Sequence, residues 1–110
     1  MNKIESVFVL GIGGSGMSSI AKYLVQKDIK VEGYDQRKSY ITNQLEQDGV
    51  KVHFDINNFN YSSKNLYIYS SAVPIKMTFL KNNLESKNVL SRADFLKRLS
   101  YENKVIGITG

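Results

Sequence analysis

Short apolar runs alternate with amphipathic stretches along this chain. Residues 7–10 (VFVL) form a continuous apolar run that ends at a glycine, which is typical of a central parallel strand covered on both faces. Beyond the next glycines, apolar residues recur at helical spacing and polar residues fall on the other face, which predicts an amphipathic helix. The apolar face of this helix consists of Met17, Ile20, Ala21, Leu24 and Val25.

The alternation continues to the end of the chain. Strands are predicted at residues 30–34, 50–54, 66–69, 89–90 and 104–108. Helices are predicted around residues 41–45 with a left-handed stop at Gly49, at 79–84, and from about 93 to 100 after a capping box at 91–94. Strands that alternate with helices predict an α/β fold, here a Rossmann-like three-layer domain with a mainly parallel sheet.

Composition narrows the class of protein. The 110 residues are 42% apolar and 23% charged, which fits one soluble globular domain. No apolar stretch approaches the roughly 18 residues of a membrane helix, and residues 1–5 do not resemble a secretory signal. A cytoplasmic protein without a membrane partner is therefore expected. The absence of cysteine excludes disulfides and thiolate chemistry, and with His53 as the single histidine no metal site is expected.

The net charge of +5 lies in the second half of the chain. Residues 1–55 carry seven basic and seven acidic side chains, whereas residues 56–110 carry eight basic and three acidic ones. The basic residues never cluster beyond pairs, and a nucleic-acid-binding face normally shows a denser stripe. No nucleic-acid partner is expected.

A glycine motif lies between the first predicted strand and helix. Residues 11–16 (GIGGSG) satisfy G-x-G-x-x-G in the strand-to-helix context that nucleotide-binding folds require. Gly11 would allow the tight turn, Gly13 the approach to phosphate oxygens, and Gly16 the close packing of helix on strand. The free amides and the positive end of the helix would face the anion. The alternative is a glycine-rich turn that only reverses the chain.

Two further segments are expected at the same edge of the sheet. Asp35 ends the second strand, where a Rossmann domain places a carboxylate that accepts hydrogen bonds from ribose hydroxyls. Ser70 and Ser71 follow the fourth strand, and their hydroxyls can donate to a phosphate or a base. An ordinary solvated acid and a plain polar loop are the alternative interpretations.

Together these residues resemble one family. Residues 11–21 (GIGGSGMSSIA) look like the GIGGxGMSxIA opening of the alanine-adding branch of the Mur ligase family, the UDP-N-acetylmuramate–L-alanine ligases of peptidoglycan synthesis. The similarity extends to Asp35 with Thr42, and it covers nearly the whole chain. Its other segments are 48–50 (DGV), 70–73 (SSAV), 92–96 (RADFL) and 105–110 (VIGITG), the last similar to the strand that enters the family's ATP-binding P-loop.

The resemblance implies a domain that holds the UDP part of UDP-N-acetylmuramate over residues 1–104, and the start of a truncated central ATPase domain at 105–110. Gly110 would be the first residue of the P-loop that binds ATP. The complete enzyme would use ATP and Mg²⁺ to activate the muramyl carboxylate as an acyl phosphate, which the amino group of L-alanine then attacks. The central and C-terminal domains would be missing, and the fragment would be inactive alone.

Carried over position by position, the resemblance implies a UDP-sugar site and no catalytic residue in this chain. The loop from Gly13 to Met17 would meet the diphosphate, Asp35 and Thr42 would lie beside the uridine, and Ser70 to Val73 would border the nucleotide. The full set is Gly11, Gly13, Gly14, Ser15, Gly16, Met17, Asp35, Thr42, Ser70, Ser71, Ala72 and Val73.

The sequence departs from the family in two loops. The family often has a Gly-His or Asn-His pair after the third strand, where this chain has residues 55–56 (DI), and His53 is expected to belong to the strand itself. The usual Asn-Pro-Glu after S-S-A is replaced at residues 76–78 (KMT). Rival interpretations are an NAD-binding module of an oxidoreductase or regulatory subunit, an interaction domain with an idle glycine turn, and a related ligase that recycles murein peptides.

Overall fold

The computed structural model describes residues 6–55, 61–71, 73 and 88–105, and within these ranges it contains five strands and three helices. The strands are β1 (Ser6–Leu10), β2 (Val31–Tyr34), β3 (Lys51–His53), β4 (Asn65–Tyr69) and β5 (Val89–Ser91). The helices are α1 (Ser15–Gln26), α2 (Tyr40–Gln47) and α3 (Arg92–Val105). None of these helices is both long and apolar enough to cross a membrane.

The five strands form one sheet in the order β3-β2-β1-β4-β5, and all four pairings are parallel. The chain moves outward from β1 through β2 to β3 and then returns to the other side of β1 with β4. Loops that leave neighbouring strands in opposite directions open a crevice at the carboxyl ends, where open α/β sheets bind ligands. The predicted α/β fold with a mainly parallel sheet is confirmed.

The two faces of the sheet have separate cores because successive strand residues point to opposite faces. Val7 and Val9 of β1 belong to the larger core, which contains apolar side chains from α1, α2 and α3. Phe8 and Leu10 belong to the smaller core on the other face, together with Tyr67. The three described helices therefore cover one face. The helix predicted at residues 79–84 lies outside the described residues.

Helices α1 and α2 end with the same hydrogen-bonding motif. Beyond α2, Gly49 has φ +96°, its amide bonds the carbonyl of Glu46 at 3.1 Å, and the Val50 amide bonds that of Leu45 at 3.0 Å. This is a Schellman motif with glycine at the left-handed position, and it confirms the predicted stop. It also takes Val50 out of β3, which is shorter than predicted. Beyond α1, Asp28 holds the left-handed position with φ 61°.

Helix α3 is longer than the sequence predicts. It runs from Arg92 to Val105, so the helix predicted to end near residue 100 continues for five residues, and the strand prediction at 104–108 is wrong for Lys104 and Val105. No glycine or proline interrupts residues 92–105, so nothing in the local sequence stops the helix. Residues 106–110 lie outside the described part, and the domain boundary after residue 104 stays a prediction.

Candidate functional site

The turn after β1 is held against β2 by two backbone hydrogen bonds. The amides of Gly11 and Ile12 both donate to the carbonyl of Tyr34, at 2.8 and 3.0 Å. Gly11 has φ +81°, and a Cβ atom there would lie 2.8 Å from Ser70 Oγ and 2.9 Å from Val73 Cγ2. Glycine is therefore required both by the backbone conformation and by the close approach of the loop after β4.

The side chain of Ile12 anchors this turn in the core. Ile12 is 0% exposed, and it lies directly over Gly33 of β2. A Cβ atom at Gly33 would lie 2.5 Å from Ile12 Cδ1 and 2.8 Å from the Val9 carbonyl oxygen. The sequence motifs predict no role for Gly33, although a glycine inside a strand signals a close approach of another group.

Asp35 lies on the glycine loop itself. Its Oδ2 accepts a hydrogen bond from the Gly13 amide at 2.7 Å, and its Oδ1 accepts one from the Arg37 amide at 3.0 Å. A Cβ atom at Gly13 would lie 2.7 Å from Asp35 Oδ2 and 3.3 Å from Thr42 Cγ2. The absence of a side chain at Gly13 thus admits the carboxylate of Asp35. The glycine motif predicts phosphate oxygens in this space.

Thr42 acts through the start of α2. It is fully buried, and with Ser39 it forms a capping box in which the Thr42 amide donates to Ser39 Oγ at 3.2 Å and the Ser39 amide donates to Thr42 Oγ1 at 2.8 Å. The Thr42 hydroxyl donates back to the Ser39 carbonyl at 3.0 Å. Because this hydroxyl is bonded within the cap, Thr42 positions α2 and packs its methyl group near Gly13.

The first turn of α1 has backbone donors that bond no acceptor among the described residues. Gly14 is the N-cap and supplies no side-chain oxygen, and the Ser18 amide is the first to bond back, to the Gly14 carbonyl at 2.8 Å. In the described part of the chain no acceptor bonds the amides of residues 15–17. This turn also contains no acidic side chain. Three amides and the positive end of the helix are thus directed to the carboxyl edge, which favours an anion there.

Arg92 adds a positive charge beside this turn. A Cβ atom at Gly16 would lie 2.8 Å from Arg92 Nε and 3.1 Å from its Cζ, so the guanidinium group packs on the glycine. The side chain of Arg92 is exposed and lines a groove of about 280 Å³ between α1 and α3. Arg92 begins the segment 92–96 that resembles a family motif, and the sequence predicts no role for it. The three heavy atoms nearest to a Cβ atom at Gly16 all belong to Arg92, and the expected role of Gly16 in packing helix against strand stays a prediction.

The loop after β4 completes the edge. The Val73 amide bonds the Ser70 carbonyl at 3.1 Å, and the buried side chain of Val73 and the Ser70 hydroxyl both lie against Gly11. Ser71 is exposed. Ala72 and Gly110 lie outside the described residues. The structure thus brings the loops after β1, β2 and β4 together at one edge, as the sequence analysis expects.

Two ionisable side chains lie near this edge, Tyr34 at the end of β2 and His53 at the end of β3. The pKa of Tyr34 is raised, first by burial and then by the negative charges of Asp35 and Asp55. His53 is in β3, as predicted, and it bonds Glu32 on the face of the sheet opposite the helices. Within the described ranges no group of three or more His, Asp or Glu side chains is arranged to hold a metal ion.

Comparison with protein families and curated proteins gives consistent matches. A family model described as "Mur ligase family, catalytic domain" matches residues 6–103. The UDP-N-acetylmuramate–L-alanine ligase of Campylobacter jejuni is 33% identical over 108 residues, which is 97% of this chain and 25% of that protein. The protein of the same name from Cytophaga hutchinsonii is 34% identical over 119 residues, covering 100% of this chain and 25% of its own length. The chain thus spans about a quarter of these relatives.

A solved structure has the same fold. The crystal structure of UDP-N-acetylmuramate-alanine ligase from Thermotoga maritima matches with a TM-score of 0.75 over 90% of this chain and 23% of that chain. The sequence identity is 20%, so this similarity establishes the shared fold.

Proposed function

Because the chain belongs to the Mur ligase family, we propose that it is the UDP-N-acetylmuramate-binding part of an ATP-dependent UDP-N-acetylmuramate–L-alanine ligase of peptidoglycan synthesis. The names of its relatives support this substrate. An NAD-binding module is not favoured, since the matched proteins are ligases.

The observation that carries the proposal is the set of amides at residues 15–17, which bond no acceptor within the described ranges. A diphosphate is the part of a UDP-sugar that such donors recognise, because its oxygens are charged acceptors and the helix end is positive. In this proposal the backbone amides have different roles from those expected from the sequence. The amides of the first helical turn hold the diphosphate, while the Gly13 amide is bonded to Asp35. Asp35 is then placed to accept hydrogen bonds from ribose hydroxyls.

The chemical contribution of this chain is positioning. In the complete enzyme ATP would convert the muramyl carboxylate into an acyl phosphate, and alanine would displace the phosphate. Holding the UDP end fixes where the carboxylate lies relative to ATP, which lowers the entropic part of the barrier. In the complete enzyme, ATP and Mg²⁺ would be bound at the proposed P-loop, whose first residue would be Gly110; this residue lies outside the described part of the chain.

A proline substitution tests the amide set directly. Ser15 is the first residue of α1, where proline is tolerated, and Gly14 before it has φ −70° and ψ 150°, which a residue before proline readily adopts. Ser15→Pro should therefore keep the fold and delete one donor. Isothermal titration with UDP-N-acetylmuramate should show about tenfold weaker binding, which is the usual consequence of losing a charge-assisted hydrogen bond.

Ser15→Ala is the matched control, because it removes the hydroxyl and keeps the amide. We expect it to bind UDP-N-acetylmuramate like the unmodified chain. Equal affinity of the proline and alanine variants would argue against the amide set as the diphosphate site. Failure of the unmodified chain to bind UDP-N-acetylmuramate, or stabilisation by NAD alone in a thermal-shift measurement, would contradict the proposed function.

A further inference from the structure

A buried polar pair ties β3 to β2 on the face of the sheet opposite the helices. His53 Nε2 lies 2.5 Å from Glu32 Oε2, a distance at which the ring nitrogen donates to the carboxylate, and the two side chains are 9% and 22% exposed. The ring of His53 also stacks on Phe8 of β1, with centroids 5.7 Å apart and 13° between the ring planes. His53 therefore contacts two strands, although β3 is the edge of the described sheet and its backbone pairs with β2.

The pair is diagonal to the register of the two strands. Glu32 lies opposite Lys51, whereas His53 lies opposite Tyr34. A slip of β3 by one residue would turn His53 to the other face of the sheet and break its bond to Glu32. An edge strand of three residues has few backbone hydrogen bonds to fix its register. The side-chain bond therefore specifies the register of β3.

The register of β3 matters because His53 holds the peptide group that joins Tyr34 to Asp35. The Asp35 amide donates to the His53 carbonyl at 3.0 Å. The carbonyl of the same peptide group, that of Tyr34, accepts from the amides of residues 11–12 in the glycine loop. One peptide group is thus bonded to β3 on one side and to the loop on the other. From this peptide group the side chain of Asp35 reaches the Gly13 amide at 2.7 Å.

Stability alone does not account for a polar pair at this place. When both partners of a buried hydrogen bond are replaced by apolar groups of similar shape, the change is often neutral or stabilising. The face beside His53 already contains the buried aromatic side chains of Phe8 and Tyr67, and apolar residues would suit it. A directional bond, in contrast to apolar packing, fixes one geometry.

We propose that Glu32 and His53 are positioning residues for the candidate site. Their bond sets the register of β3, and the His53 carbonyl then fixes the peptide group from which the Asp35 carboxylate reaches the Gly13 amide. Both residues act through the glycine loop and not by contact with a ligand. The inference concerns the geometry of the loop, and it rests on the proposed function only where UDP-N-acetylmuramate serves as a probe.

The test replaces both side chains in the double variant Glu32→Leu/His53→Phe, which keeps a ring against Phe8 and removes the bond. The midpoint of urea unfolding should stay the same or rise. Hydrogen exchange of the Gly13 amide, measured by NMR relative to that of Ala21 in the buried face of α1, should become about tenfold faster, as for the loss of a hydrogen bond to a charged group. A merely structural pair would change the urea midpoint and leave this exchange ratio unchanged.

Glu32→Gln is the conservative variant, because its side-chain carbonyl still accepts from His53. We expect its exchange ratio to equal that of the unmodified chain. Lys51→Gln is the matched control for a change in β3, since Lys51 is exposed and lies opposite Glu32, and it should also leave the ratio unchanged. Should the double variant not fold, Glu32→Val removes the acceptor alone, suits a strand, and carries the same expectation for the ratio.

An unchanged exchange ratio in the folded double variant, or an equal increase in Glu32→Gln, would overturn the inference. Isothermal titration with UDP-N-acetylmuramate separates it from the proposed function. If the unmodified chain binds UDP-N-acetylmuramate and the double variant keeps the ratio, the positioning role is wrong and the proposed function stands. If the unmodified chain does not bind UDP-N-acetylmuramate and the double variant exchanges faster at Gly13, the proposed substrate is wrong and the positioning role is supported.

Discussion

The two ends of the sheet differ in whether their polar groups are hydrogen-bonded within the protein. At the amino ends of the strands, Ser6 Oγ donates to Asn65 Oδ1 at 2.6 Å, Asn65 Nδ2 donates to the Tyr67 hydroxyl at 3.2 Å, and Asn88 Nδ2 donates to the Asn65 carbonyl at 2.8 Å. At the carboxyl ends, the amides of residues 15–17 have no acceptor in the described part of the chain. The polar groups at the amino end are hydrogen-bonded to one another, whereas backbone amides at the carboxyl end have no acceptor among the described residues.

This difference separates stability from binding. A buried polar group that loses its partner costs the free energy of its desolvation, so the amino end should govern the free energy of unfolding. Free donors at the carboxyl end contribute little to folding and are available to a ligand. Substitutions at one end should therefore leave the property of the other end unchanged. The exceptions should be residues that connect the two.

Gly33 lies within the sheet under Ile12 of the glycine loop, so its substitution should affect both folding and binding and should have the largest effect. In Gly33→Ala the added methyl group would lie 2.5 Å from Ile12 Cδ1 and 2.8 Å from a backbone oxygen of β1, which cannot move aside. We expect the free energy of unfolding to fall by about 2–3 kcal/mol in urea titrations, as for an overpacked core. Displacement of Ile12 should also weaken UDP binding.

Gly16→Ala is the matched control for Gly33→Ala. Its methyl group would meet the exposed, flexible side chain of Arg92, and alanine is the better residue inside a helix. We expect the unfolding free energy to stay the same or rise by up to about 1 kcal/mol. Equal stabilities of the Gly33 and Gly16 variants would show that Ile12 does not anchor the loop.

Asn88→Ala tests the amino end alone. It removes the donor to the Asn65 carbonyl and to the Ser62 carbonyl, and it removes the acceptor of the Tyr61 hydroxyl. We expect a loss of about 1–2 kcal/mol in the free energy of unfolding and an unchanged affinity for UDP. Asn43→Ala, at an exposed position of α2, should change stability by less than about 0.5 kcal/mol. Weaker UDP binding by folded Asn88→Ala would mean that the two ends are not independent.

The Schellman motifs after α1 and α2 precede the amino ends of β2 and β3, and opposite substitutions in the two motifs should have smaller effects. Asp28 and Gly49 occupy equivalent left-handed positions beyond α1 and α2. Because a residue with a Cβ atom is strained at this position, Asp28→Gly should raise the free energy of unfolding by about 1 kcal/mol and Gly49→Asp should lower it by about as much. UDP affinity should not change in either variant. Destabilisation by Asp28→Gly would show that the aspartate stabilises its stop in another way.

The sequence predicts the features of this molecule that depend on neighbouring residues. The turn between β1 and α1 and the stop at Gly49 follow from local pattern, because glycine has a distinctive conformational range. The contact of Asp35 with Gly13 joins residues 22 positions apart, and only the packed sheet shows which group fills the space at that glycine. Ile12 over Gly33 is a contact of the same kind.

The end of α3 illustrates a second limit. An apolar run after residue 104 is compatible with a strand or with the end of a helix, and periodicity does not distinguish them over so few residues. The sequence predicts that the loops carrying the candidate residues meet at the carboxyl edge of the sheet, and the structure brings the loops after β1, β2 and β4 together there. It does not reveal that the amide of Gly13 is already bonded, because that depends on the position of the Asp35 carboxylate.

The smallest expected effect is the pH dependence that Tyr34 gives to the carboxyl end. Burial and the charges of Asp35 and Asp55 raise the pKa of Tyr34 above its ordinary value of about 10. Above that pH the unfolded chain loses the phenolic proton before the folded chain does, so the unfolded state binds fewer protons and the free energy of unfolding falls as the pH rises. Urea midpoints at pH 8 and pH 10.5 should therefore differ less in Tyr34→Phe than in the unmodified chain. Asp55→Asn, which removes one of the two charges, should lie between them. An equal loss of stability in all three proteins would show that the ionisation of Tyr34 is not coupled to folding. The charges at the carboxyl end would then not contribute to the pH dependence of the free energy of unfolding through this tyrosine.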